Sequence, residues 1–186
     1  MQEIILASSS ARRHALLESM GVPFRKEEPY AEEVKLNSPR ETVMQNALLK
    51  AKAVQKRNPG SIILSADTVV SIDGNVIGKP MDEDDAVNML KSLCGRWHNI
   101  YTGVCLISET GETFNELCST RVHIVSLSEE EIKAYVSTGE PMDKAGSYAL
   151  QGIGGMFVSE IQGSYSNVIG LPTSLVRDML KNISYY

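Results

Sequence analysis

Three clusters of residues have the types and spacing needed to act on a phosphate. The first is Ser8-Ser9-Ser10-Ala11-Arg12-Arg13, which lies between a short apolar run and the start of a helical pattern. Backbone N–H groups at a helix N-terminus lack intrahelical partners and attract anions. Serine hydroxyls donate to phosphate oxygens, and arginine adds bidentate contacts. The alternative is a capped surface helix carrying two solvated arginines. The second cluster is the acids Glu32, Glu33 and Asp67. Asp67 follows Ser61-Ile62-Ile63-Leu64-Ser65-Ala66, so it is expected at the C-terminal end of a buried strand, where open α/β sheets place ligands. Acids there can hold Mg²⁺ while substrate phosphates complete its shell, or accept a proton from an attacking water. The alternatives are a solvated loop for Glu32-Glu33 and a turn or cap acid for Asp67. The third cluster is Lys52 and Lys79, each able to meet a phosphate as a point charge and each equally readable as a surface lysine. Gly78-Lys79-Pro80 is not a phosphate-binding P-loop, because the GxxxxGK[ST] spacing is absent.

A further stretch, Asp143-Lys144-Ala145-Gly146-Ser147-Tyr148-Ala149-Leu150-Gln151-Gly152, is long and poorly periodic. Such stretches inside a domain usually serve function. The Gln151 amide suits reading the edge of a base; the alternative is a structural glycine turn.

The elements that must position these residues follow from periodicity and punctuation. Glu3 to Ala7 reads as a buried strand. Ala11 to Met20 reads as a helix with Ser10 as its cap and Gly21 as its stop. Phe24 to Pro29 is extended. A long helix runs from Pro39 to about Arg57, capped by Ser38. Ser61 to Ala66 is a second buried strand, and Val69 to Ile72 continues into the turn Asp73-Gly74-Asn75. A helix from Asp82 to Leu93 carries acids at its N-terminus. Trp97 to Ser108 and Thr113 to Ser126 read as an antiparallel pair, and Ser128 caps a helix reaching about Thr138. After the glycine-rich stretch Gly139 to Gly155 come a strand, Met156 to Ile161, and a closing helix, Thr173 to Asn182. Early alternation of strands and helices followed by hairpins implies a mixed sheet in an α/β fold.

The bulk properties narrow the function classes. The chain has 186 residues, with 42% hydrophobic and 22% charged, enough for one domain with its own core. A net charge of −5, no Lys/Arg run and only 6% aromatics argue against a nucleic-acid binder, while a small polyanion held by a few local cations stays compatible. Cys94, Cys105 and Cys118 show no CxxC spacing and read as reduced, buried thiols. His14, His98 and His123 lack ligand spacing, so zinc is not expected. The sequence starts without a signal-peptide pattern and has no apolar stretch near the roughly 20 residues a bilayer requires, so a cytoplasmic, membrane-free location is expected.

In order along the chain, Leu6-Ala7-Ser8-Ser9-Ser10-Ala11-Arg12-Arg13, Glu32-Glu33, Lys50-Ala51-Lys52-Ala53, Ala66-Asp67-Thr68, Gly78-Lys79-Pro80, Pro141-Met142-Asp143-Lys144-Ala145-Gly146, Gln151-Gly152 and Gly170-Leu171-Pro172 resemble the Maf family of nucleotide pyrophosphatases. Each motif is weak alone; the ordered set is specific and spans residues 1–186 as a single domain. Ala11 departs from the family's usual proline, and alanine adopts the same φ. The resemblance implies an elongated, curved mixed sheet flanked by helices, with two lobes and a central cleft, similar to inosine triphosphate pyrophosphatases. It implies a Mg²⁺- or Mn²⁺-dependent attack at the α-phosphorus of a nucleoside triphosphate, with a homodimer as an open assembly state. Arg12, Thr68 and Gln151 match the dTTP/UTP branch rather than the 7-methylguanosine triphosphate branch.

On that resemblance, Ser8, Ser10 and Arg13 bind the triphosphate, and Glu33 and Asp67 place the metal. Asp67, directly or beside the metal, activates the water, and Lys52 and Lys79 neutralise charge on the leaving pyrophosphate. The rival reading is a nucleotide-binding regulator of septum formation that acts through a protein partner. A complete set of acid and basic residues favours turnover, since binding alone needs no general base.

Overall fold

The computed structural model describes residues 2–186. Seven strands form one mixed sheet: β1 (Ile4–Ala7), β2 (Phe24–Glu27), β3 (Ile62–Ile72), β4 (Asn75–Ile77), β5 (Trp97–Ile107), β6 (Thr113–Ile124) and β7 (Val158–Gln162). The order is β2-β1-β3-β5-β6-β7, with β4 paired to β3. β1 is parallel to both β2 and β3, whereas β4 and β7 run antiparallel to β3 and β6. The helices are α1 (Ala11–Ser19), α2 (Pro39–Gln55), α3 (Glu83–Leu93), α4 (Glu129–Val136), α5 (Tyr165–Ile169) and α6 (Thr173–Asn182). Among the described residues no helix is long and apolar enough to cross a membrane.

The chain divides into two compact units. Among the described residues the first comprises 2–68, 101–118 and 170–186; the second comprises 69–100 and 119–169. In the first unit β1, β3 and β5 are buried on both faces, and alternation assigns each residue to a side. Ile4 and Leu6 of β1, Ile62, Leu64 and Ala66 of β3, and Val104 and Leu106 of β5 pack with Leu17 of α1 and Val176, Met179 and Leu180 of α6. The intervening Ile5, Ala7, Ile63, Cys105 and Ile107 pack with Ala47, Ala51 and Val54 of α2. Each buried Ile or Leu of this kind contributes about 1.5–3 kcal/mol. Helix α2 lies close on β5 because position 103 is glycine: a Cβ there would collide with the Val43 carbonyl.

The second unit has its own core. Val70, Ile72, Ile100, Val122 and Ile124 meet Ala86, Leu90 and Leu93 of α3 and Ile132, Tyr135 and Val136 of α4, together with Tyr148 and Phe157. Asp82 caps α3, and Ser128 with Glu131 closes a reciprocal capping box on α4.

Most expected elements are present, with three corrections. Asp67 does not end a strand; β3 runs eleven residues through it to Ile72. Thr68, Val69, Val70 and Ile72 favour extended backbone, and the Asp67 carboxylate finds partners without a turn. The short α5 was not expected. The Gly139–Gly155 stretch contains 3-10 turns at Glu140–Asp143, Ala145–Ser147 and Ile153–Phe157, and residues 148–152 between the last two are irregular as expected.

Candidate functional site

Strand parity decides what Asp67 and Thr68 meet. Asp67 shares its side of β3 with Ile63 and Ser65 and faces α2; Thr68 shares the other side with Leu64 and Ala66 and faces α1.

On the α2 side, Thr42, Asn46 and Lys50 form an i, i+4, i+8 polar stripe along the edge of the buried helix face. Lys50 Nζ lies 2.7 Å from Asp67 Oδ1 and 2.6 Å from Glu33 Oε1. Asn46 Nδ2 donates to the other Asp67 oxygen at 3.2 Å and to the Val34 carbonyl at 3.1 Å, while its Oδ1 accepts the Val34 N–H at 2.8 Å. Thr42 Oγ1 accepts the Leu36 N–H at 3.0 Å. The segment carrying Glu33 is thus held along α2 by two side chains, and its carboxylate reaches the same ammonium as Asp67.

The lysine in this cluster is Lys50, not Lys52. Lys52 is exposed on α2, because two residues along a helix turn about 200° around its axis. Glu32 is exposed and Glu33 is the acid that turns toward Asp67.

On the α1 side, Arg13 is the hub. Its Nε donates to the Gly170 carbonyl at 2.9 Å, Nη1 to Ser8 Oγ at 3.4 Å and Nη2 to Thr68 Oγ1 at 3.1 Å. Thr68 Oγ1 also lies 2.9 Å from Thr102 Oγ1. Burial pulls the guanidinium below its ordinary pKa; Asp67 and Glu33 oppose that shift and Arg12 reinforces it. Arginine keeps its charge regardless. Ser8 is buried and its Oγ also accepts the Ser10 N–H at 3.2 Å, while Ser10 caps α1 by accepting the Arg13 N–H. His14 bonds the Ser8 carbonyl at 2.7 Å. Arg12 is exposed at the helix start. Ser8, Ser10, Arg13, Glu33, Asp67 and Thr68 therefore belong to one unit, gathered around the end of β1 and the middle of β3.

Lys79 and Gln151 belong to the second unit and both are exposed. The Gly78 carbonyl accepts the Gly146 N–H at 3.0 Å, which ties the Lys79 loop to the segment leading toward Gln151.

Two hard carboxylate oxygens converging on one cation suit Mg²⁺ or Mn²⁺, which take one or two protein carboxylates and draw the remaining ligands from phosphates and water. Oxygen donors of this kind match such an ion in chemistry, but the two carboxylates meet at the Lys50 ammonium and, among the described residues, no group of three or more His, Cys, Asp or Glu could hold a metal ion.

Sequence reasoning missed Lys50, Asn46, Thr102 and Gly170 as site residues. The stripe of Thr42, Asn46 and Lys50, in phase with Val43, Ala47 and Ala51, is the signal that identifies the first two. Thr102 and Gly170 are far from Thr68 in sequence and carry no such signal.

The family model for Maf-like protein matches residues 3–183. A dTTP/UTP pyrophosphatase of Symbiobacterium thermophilum is 46% identical, covering 100% of this chain and 96% of that protein. A dTTP/UTP pyrophosphatase of Bacillus cereus is 48% identical over 96% of the chain and 95% of its own length, and one of Dictyoglomus thermophilum is 44% identical over 99% and 97%. Among solved structures, the Staphylococcus aureus Ham1 protein superimposes with a TM-score of 0.53 at 14% identity, covering 97% of this chain and 99% of that one. A HAM1 protein from Coxiella burnetii gives 0.51 at 15% identity with full coverage of both. These two likenesses speak to the fold.

Proposed function

The chain belongs to the Maf-like protein family, and we propose that it is a pyrophosphatase that hydrolyses dTTP and UTP to the monophosphate and pyrophosphate, a cytoplasmic house-cleaning activity. The observation that carries the reaction type is the convergence of Asp67 and Glu33 on Lys50. Two acids beside a buried ammonium and a serine–arginine cluster supply a base, counter-charge and phosphate donors in one unit.

In this reading Asp67 accepts a proton from the attacking water through a carboxylate that Lys50 orients at Oδ1 and Asn46 at Oδ2. Lys50 keeps the two carboxylates together and adds positive charge at the triphosphate. Ser8, Ser10 and the first-turn amides of α1 donate to phosphate oxygens, and Arg13 brings a charged fork whose orientation Gly170 and Thr68 fix. Glu33 and Asp67 would hold a divalent cation, which when bound neutralises charge developing on the phosphates. Lys79 adds charge for the leaving pyrophosphate, and Lys52 contributes at longer range from its exposed position. Arg12, Thr68 and Gln151 set the base preference, with the Gln151 amide offering a donor and an acceptor side by side. Catalysis of this kind rests on positioning and electrostatics.

Chromatography of the products of UTP tests the reading. UMP with pyrophosphate is expected; accumulation of UDP with orthophosphate refutes attack at the α-phosphorus. No turnover of any triphosphate with Mg²⁺ or Mn²⁺ supplied would return the rival, a nucleotide-binding regulator.

A further inference from the structure

Gln151 lies in the second unit on a segment whose backbone is sewn to a single carboxylate. Glu140 Oε1 accepts the Ile153 N–H at 2.9 Å, and Glu140 Oε2 accepts the Gly154 N–H at 2.9 Å. The Tyr135 hydroxyl donates to Glu140 Oε2 at 2.7 Å and accepts the Ala149 N–H at 3.3 Å. Amides two residues before Gln151, and two and three residues after it, therefore end on one phenol–carboxylate pair. Gly152 has φ 150°, and a Cβ on it would fall on Glu140 Oε1; a Cβ on Gly154 would fall on the Tyr135 hydroxyl. The backbone rests directly on the two side chains at these positions, so any side chain there would force Glu140 or Tyr135 to shift. Although partial burial pushes the Glu140 carboxyl up, the Tyr135 hydroxyl and the Gly154 and Ile153 amides draw it below its ordinary value, so it is anionic at neutral pH. Charge-assisted bonds of this type are roughly twice as strong as neutral ones.

We propose that Glu140 is a specificity-determining positioning residue: through Tyr135 and the amides flanking Gln151 it holds the base-reading segment in one arrangement. The inference rests on the reading of Gln151 given above. Uracil and thymine present an acceptor at O4 and a donor at N3; cytosine presents a donor and an acceptor at the same places. A glutamine amide matches the first pair in one orientation and the second when turned over. Turning the amide over is a side-chain rotation that any backbone allows, but the backbone sets where the amide sits: a loose, glycine-rich segment lets it shift to meet either base, whereas one pinned on both sides fixes its position, and hydrogen-bond discrimination needs placement within about 0.5 Å. Glu140 is the residue that supplies that pinning, and it does so without touching Gln151 itself.

The test compares kcat/KM for UTP and CTP in wild type, Gln151→Ala, Glu140→Gln, Tyr135→Phe and the double variant Glu140→Gln/Gln151→Ala, with folding checked by thermal unfolding. In Glu140→Gln the amide nitrogen faces an N–H donor, so one anchor is lost at nearly constant volume. Its UTP/CTP ratio is expected to fall about tenfold, mainly through a higher KM for UTP with kcat little changed. Tyr135→Phe is expected to lower the ratio less. The double variant should be no less selective than Gln151→Ala alone, because both changes remove one function. A collapsed ratio in Gln151→Ala beside an unchanged one in folded Glu140→Gln overturns this inference and leaves the base-reading role standing. An unchanged ratio in Gln151→Ala overturns both. Should Glu140→Gln not fold, an unchanged ratio in Tyr135→Phe overturns the inference.

Discussion

Replacing Lys50 with methionine separates the structure from the sequence pattern, because Lys52 offers a matched control two residues away. Methionine keeps the apolar stem and removes the charge. The Lys50 and Asp67 side chains are only 11% and 10% exposed, whereas Glu33 is 59% exposed. Without Lys50, Asp67 keeps Asn46 as its charge-free partner at 3.2 Å. Removing one member of a buried ion pair typically costs about 3–5 kcal/mol. The exposed Glu33 arm adds less than about 1 kcal/mol. Asn46 still solvates one Asp67 oxygen, so the lower end, about 3 kcal/mol, is expected for Lys50→Met. For a chain of this size that lowers the melting temperature by roughly 6–12 °C. Lys52→Met, at an exposed position, should stay within about 0.5 kcal/mol. Turnover of UTP should fall about 10²–10³-fold in Lys50→Met, the size of a lost preorganised charge, with Lys52→Met much milder. Urea unfolding and steady-state pyrophosphate release on both variants decide the matter. Equal effects at the two positions, or a larger one at Lys52, would refute the assignment.

Asp67→Asn should fold with reduced stability, since its amide oxygen can still accept from Lys50 while its amide nitrogen faces the Asn46 donor, and should cost roughly 10²–10⁴-fold in rate through loss of the base; near-normal turnover by a folded, metal-supplied variant would sink the role. His98 gives a stability prediction. It is buried with Nε2 2.7 Å from the Tyr148 hydroxyl, and burial, aided by His123, lowers its pKa from 6.5 to about 4. The unfolded chain therefore binds a proton between these values that the folded chain does not. Stability should be intact above pH 6.5 and decline by about 3 kcal/mol as the pH falls toward 4. His98→Gln should flatten that slope in urea unfolding measured across this range, and parallel wild-type and variant curves would count against it.

The elements were legible wherever local signals agreed. Ser10 and Ser128 cap the helices their positions suggested, Asp82 caps the helix it was expected to begin, and Gly21 and Gly74 adopt the left-handed backbone expected of turn residues. The end of β3 was not legible, because Asp67 reads as a strand breaker until its partners on α2 are known. The turns between residues 139 and 155 were opaque for a similar reason. They are organised by one carboxylate at Glu140, whose bonds to Ile153 and Gly154 join residues 13 and 14 positions away and leave no periodic trace.

Adjacent motif residues also serve different faces, which a linear reading hides. Asp67 and Thr68 are consecutive and read as one motif, but alternation along β3 sends the acid to Lys50 and Asn46 on α2 and the hydroxyl to Arg13 on α1. The proposed base is therefore oriented by one helix, and the arginine proposed to bind phosphate by the strand residue that follows. Gly103 permits the close seat of α2, since any side chain there would strike the Val43 carbonyl and lift the helix that carries Asn46 and Lys50. The same helix then clamps the Glu33 segment through Asn46 and Thr42. What assembles the two acids is thus the packing of α2 on the sheet, and the contiguous Ala66-Asp67-Thr68 motif is the place where that packing and the α1 network meet on a single strand.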